Sequence, residues 1–72
     1  MNEHQLQDAL KTLLEDIAFM DEEDRADAGV PGDLADVKRV RTFEEEGVLT
    51  YDAGLVITTA DGEFQVTIVR SR

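Results

Sequence analysis

Few residues of this chain are of a kind that does chemistry. There is one Ser, Ser71, one His, His4, and no Cys. Ser71 stands beside the C-terminus and His4 falls on the first turn of a helical pattern. No Ser–His–acid or Cys–His nucleophile assembles from them. The seventeen acidic residues offer carboxylate pairs for acid–base work, but seven of them stand in two runs, Asp21–Asp24 (DEED) and Glu44–Glu46 (EEE). Such runs read as solvated faces. They lack the apolar pocket that raises a carboxylate pKa into a useful range.

Neither a G-x-G-x-x-G nor a G-x-x-x-x-G-K-[ST] stretch is present for phosphate. The segment DEEDRADAG has acids and a Gly without the spacing of a calcium loop. No enzyme activity, cofactor or metal is expected from this inventory.

The charge is unevenly spread. Residues 1–36 carry eleven acidic side chains against Lys11 and Arg25, a net −9. Residues 37–72 carry six against five, a net −1, which together give the −10 of the chain. Charge of this sign disfavours nucleic acid and anionic membranes. Lys38, Arg39, Arg41, Arg70 and Arg72 would form a basic patch only if the first strand met the chain end, and pairing with the acidic helix is the simpler expectation. Aromatics for base stacking are few: Phe19, Phe43, Tyr51 and Phe64.

No apolar run reaches the roughly 18 residues of a membrane helix. The N-terminal segment has no basic n-region of a secretory signal. With no Cys, a cytoplasmic location is the expectation.

A chain of 72 residues allows one domain. It buries only about 60% of the surface that its unfolded form exposes. Without disulfides or thiolate zinc, its stability must come from an apolar core or from self-association.

Leu6, Leu10, Leu13, Ile17 and Met20 recur at helical spacing, with Leu14 and Ala9 on the flanks. Asn2 and Gln5 have the spacing of a capping box. The pattern predicts a helix over 3–20, or over 3–28 if it runs on to Gly29. Alternatively, Asp21 caps a separate short acidic helix. Pro31 and Gly32 mark a turn over 29–34. Phe19 lies off the apolar stripe. It requires either a bend that turns it inward or a partner.

Strands are predicted over 36–42, 54–60 and 63–69. The first has weak alternation, because Leu34, Val37, Val40 and Phe43 are spaced by threes. Lys38, Arg39 and Arg41 suit a protected sheet edge. Thr42 and Glu45 have capping-box spacing, so one helical turn ended by Gly47 is expected. A short fourth strand at Val48–Thr50 is a further option.

Asp61-Gly62 signals a two-residue type I′ hairpin turn. That turn pairs Thr59 with Phe64, Ile57 with Val66 and Leu55 with Ile68 on one face. Thr58 then pairs with Gln65 and Val56 with Thr67 on the other. The leucine stripe is the expected cover for the first face, with Leu13 and Ile17 on Ile57, Val66 and Ile68.

The expected fold is therefore α+β: an N-terminal amphipathic helix packed on a small three- to four-stranded antiparallel sheet that ends in a C-terminal β-hairpin. The expected role is a non-enzymatic, acidic protein-interaction module, with self-association through a sheet face or edge as one form, a homodimer included. Its candidate partner surface is the far face of the hairpin, Val56, Thr58, Gln65, Thr67 and Val69, together with Phe19. Two alternatives use the acidity. One is a decoy that offers Asp21, Glu22, Glu23 and Asp24 to the basic site of a nucleic-acid-binding protein. The other is a domain adapted to high salt, whose acidity implies no partner.

Overall fold

The computed structural model describes residues 1–72. Helix α1, Glu3–Phe19, opens on the expected capping box. Asn2 Oδ1 accepts the Gln5 N–H at 2.8 Å and Gln5 Oε1 accepts the Asn2 N–H at 2.7 Å. The helix stops at Phe19, and Met20 is extended. A separate helix α2, Glu22–Asp27, follows, capped by the Asp21 carboxylate on the Asp24 N–H.

Two interactions fix this corner. Arg25 of α2 donates through its guanidinium to the Ile17 and Met20 carbonyls at the end of α1. It thereby supplies the cation that the last turn of α1 lacks. At the end of α2, the Val30 N–H reaches the Arg25 carbonyl and the Gly29 N–H reaches the Ala26 carbonyl, with Gly29 at φ +73°. This is a Schellman closure, and it needs a residue that tolerates the left-handed region.

A 3-10 turn, Gly32–Asp36, leads into strand β1, Val37–Thr42. Strands β2, Ala53–Thr59, and β3, Gly62–Ile68, complete a three-stranded antiparallel sheet in the order β1-β2-β3. The threefold spacing of Val37 and Val40 has a physical reason. The register shifts between Val37 and Arg39, so Lys38 is the extra residue of a β-bulge. Val37 and Val40 both reach the core because of it, and Phe43 is buried just beyond the strand.

After β1 the chain makes one helical turn. Thr42 Oγ1 accepts the Glu45 N–H and Glu45 Oε1 accepts the Thr42 N–H at 2.9 Å. Gly47 closes the turn at φ +71°. No strand forms at Val48–Thr50. The Val48 N–H turns back onto the Phe43 carbonyl instead of pairing along the sheet.

The Glu45 carboxyl is held below its ordinary value of 4.5, first by the Thr42 backbone N–H and then by Lys11, whose Nζ lies at 3.3 Å. A lowered folded-state pKa contributes stability that is present above the unfolded value and lost as pH falls through the folded one. The stability difference between the native chain and Glu45→Gln should therefore be constant above about pH 5 and shrink as the pH falls below 4.5. A difference independent of pH in urea titrations would show that the carboxylate charge has no part in this turn.

The hairpin register differs from expectation by two residues. Thr59 pairs with Gly62, Ile57 with Phe64, Leu55 with Val66 and Ala53 with Ile68. The turn is Ala60-Asp61. No non-glycine residue has positive φ, so it is not the type I′ turn that Asp61-Gly62 suggests. Thr59 Oγ1 accepts the Asp61 N–H and donates to the Gly62 carbonyl, and this closes the loop. Gly62 does have positive φ, at +143°, far from the well near +57° that Asn tolerates. A shift of two leaves every side chain on its expected face.

The larger correction concerns the helix. The core is Val37, Val40 and Leu55, packed against Leu10, Leu14, Ala18, Leu34 and Ile57. Gln7, Leu10, Leu14, Ile17 and Ala18 thus form the inward row of α1. At about 100° per residue, this row is rotated by roughly 70° from the expected stripe. Leu13, expected in the core against Val66 and Ile68, lies outside the core cluster and is 55% exposed.

Two polar anchors hold the rotation. Lys11 reaches Glu45, and the buried Gln7 side chain accepts the Gly54 N–H at 2.9 Å. At Gly54 the first strand has already ended, and the Phe43 carbonyl is taken by Val48. Gln7 therefore satisfies a central-strand donor that would otherwise be buried without a partner.

Candidate functional site

The rotated helix lies mainly over β1 and β2 and leaves most of β3 uncovered, meeting that strand only near its end, where Ile68 is half-buried. Glu15, Ala18 and Phe19 line a hollow with Lys38, Arg39 and Val40, so this flank of α1 overlooks β1. The opposite flank carries Leu6 and Leu13, one above the other, on the side of β3. Residues directly opposite in an antiparallel pair share a face. Phe64 and Val66 face Ile57 and Leu55 of the core, so they lie on the helix side of the sheet. Yet Leu6, Leu13, Phe64 and Val66 are 37%, 55%, 57% and 40% exposed. By helix phase and strand register all four fall on one side of the molecule, an apolar strip along the helix flank and the last strand. Exposed apolar side chains gathered on one side are a common mark of an interaction site.

Beside the strip runs an open sheet edge. β3 pairs only with β2, so alternate residues along it direct N–H and C=O groups to solvent. Its one charge is Glu63, at the turn, and it has no Pro and no bulge. The edge at β1 is different. It carries Lys38, Arg39, Arg41 and the bulge, the devices that block pairing with another chain.

The far face of the hairpin is less available than its residue types suggest. Val56 is 4% exposed and is not a surface residue. It lies in register between Arg41 and Gln65, whose longer side chains flank it. Thr58 is half-buried, and its Oγ1 has no hydrogen-bond partner. Gln65, Thr67 and Val69 are exposed. Phe19 is 89% exposed: ending the helix there does not turn it inward. It belongs to the β1 side, away from the strip.

Among the acids, Asp21 has a structural task as the cap of α2. Glu22, Glu23 and Asp24 are exposed and form no ion pairs. The basic residues do not pair with this helix. Arg39 and Arg41 both lie against Glu46, at 3.2 and 3.6 Å, in the run that follows β1.

Elsewhere the loop between β1 and β2 holds Leu49 and Tyr51 fully in solvent. It borders a hollow of about 340 Å³ that His4, Gln7, Phe43 and Asp52 also line. No cluster of three or more His, Asp or Glu side chains is placed to hold a metal ion. No helix is long and apolar enough to cross a membrane. Protein-family models, curated proteins and solved structures offer no match to this chain.

A reading of periodicity assigns Leu6, Leu13, Phe64 and Val66 to the core. One signal in the sequence points the other way. Leu13 and Leu14 are adjacent, so the apolar arc from Leu13 to Leu14 is wider than one narrow sheet contact can cover.

Proposed function

We propose that this protein is a non-enzymatic interaction module. Its docking surface is the open edge of β3 together with the apolar strip of Leu6, Leu13, Phe64 and Val66. The observation that carries this reading is the coincidence of the two. An unprotected edge offers main-chain hydrogen bonds, and the strip beside it offers apolar side-chain contacts. Strand addition uses both: the backbone bonds give affinity and alternate side chains give specificity. The aromatic ring of Phe64 is suited to anchor such a contact, since aromatic residues are enriched among the side chains that dominate binding energy.

The far face of the hairpin contributes less to this proposal, because Val56 is buried there. Gln65 and Thr67 lie on the strand itself and border the edge.

Substitution of exposed positions tests the reading without unfolding the chain. Phe64→Asp and Leu13→Asp should each retain the circular dichroism of the parent and lose no more than about 2 kcal/mol in urea titration, since each side chain is only partly buried. Each should reduce, by tenfold or more, the affinity for whatever binds the parent, a second copy included. If every interaction of the parent survives both substitutions, the strip is not the docking surface.

A further inference from the structure

The charge along β3 bears on what can occupy its edge. Residues 60–72 hold Asp61 and Glu63 at one end of the strand and Arg70 and Arg72 at the other, a net charge of zero. Residues 1–59 carry the whole −10, with fifteen acidic side chains against five basic ones. The edge is therefore a stretch of surface on which two copies of so acidic a chain meet without net repulsion. It is also polar end to end. Glu63 makes no ion pair within the chain, and neither do Arg70 and Arg72.

We propose, building on the docking surface argued above, that β3 pairs edge to edge with β3 of a second copy, antiparallel about a two-fold axis. Antiparallel pairing brings the Glu63 end of each strand toward the Arg70–Arg72 end of the other. Parallel pairing would set Glu63 beside Glu63 and arginine beside arginine. In the register that overlaps all of Gly62–Ile68, Gln65 faces Gln65 across the axis, and Phe64 faces Val66 on both sides of it.

Direct pairing keeps each residue opposite one of the same face, so the apolar helix side of one sheet continues into that of the other. The product is a six-stranded sheet in the order β1-β2-β3-β3-β2-β1. Its two outer strands are the bulged, basic β1 edges, so growth beyond the dimer is blocked. Such an interface is isologous and closed. The two strips of Leu6, Leu13, Phe64 and Val66 then line one shared trough between the two α1 helices.

The test is sedimentation equilibrium of the full chain and of two charge variants. The parent should approach twice its 8.0 kDa at high micromolar concentration. Glu63→Lys should raise the dissociation constant about tenfold at low salt, since it makes the facing strand ends alike in charge at both ends of the pair, and the effect should fade as salt screens it. The double variant Arg70→Glu, Arg72→Glu should behave likewise. An equimolar mixture of the two variants should regain the parent affinity, because both ends of the mixed dimer are again of opposite sign. Unchanged circular dichroism of each variant shows that folding is intact.

A dimer indifferent to Glu63→Lys, or a mixture that stays monomeric, overturns the antiparallel pairing. A chain monomeric at every concentration that still loses another partner on Phe64→Asp overturns the self-pairing alone and leaves the docking surface standing. A monomer with no interaction that depends on Phe64 removes both.

Discussion

Replacing Gly54 with alanine is expected to cost about 3 kcal/mol, the upper end of what overpacking a filled core does. A methyl group built on Gly54 overlaps the Phe43 ring and comes within 2.5 Å of the Val66 carbonyl oxygen. The ring belongs to a buried side chain, and the carbonyl belongs to the backbone of the paired strand. Neither is the far end of a flexible group that swings aside. Gly54 sits in the central strand, where the first strand has ended and Gln7 takes over its N–H. Any shift that relieves the overlap disturbs the β2–β3 ladder, the Gln7 bond or both.

For a chain of this length, total stability is about 4–11 kcal/mol, so alanine removes a large share of it. Gly54→Val should leave the protein largely unfolded. Urea titration followed by circular dichroism measures both variants. A loss under about 1 kcal/mol for Gly54→Ala would mean that the Phe43 ring does not lie on the Gly54 Cα.

The second large effect is expected at Leu55, the most deeply buried large side chain of the molecule. It joins Val37 and Val40 under Leu10, Leu14 and Ala18 of the helix. Truncation to alanine removes the side-chain contacts and leaves a cavity that the rigid sheet only partly closes, at a cost of about 3–5 kcal/mol.

Val66 faces Leu55 across the strands and has the same orientation. It is 40% exposed, and Val66→Ala should cost under about 1 kcal/mol. The contrast between the two neighbours is the informative quantity. It reads out the off-centre seat of α1, which also creates the proposed docking strip. Equal losses at both positions would place the helix over the hairpin, and the strip would then be core.

The sequence by itself determined the elements and their chemistry. Asn2 and Gln5 specify the start of α1 through reciprocal hydrogen bonds within four residues. Thr42 and Glu45 do the same for the turn after β1. The alternation from Leu55 to Ile68 specifies a hairpin and its two faces, and a two-residue error in the turn leaves those faces unchanged. Each of these signals is local: both partners lie a few residues apart, so spacing alone reveals them.

Only the tertiary structure decided where α1 sits on the sheet. That position depends on Gln7 meeting Gly54 and Lys11 meeting Glu45, contacts between residues 47 and 34 positions apart in the chain. Burial of apolar area has no preferred direction, so a leucine stripe is served by the hairpin as well as by the β1–β2 pair. Hydrogen bonds are directional, and the bond from the Gly54 N–H to Gln7 is made only with the helix in this seat. With the helix seated toward β1, four side chains with the composition of core, Leu6, Leu13, Phe64 and Val66, were left facing solvent beside an open strand.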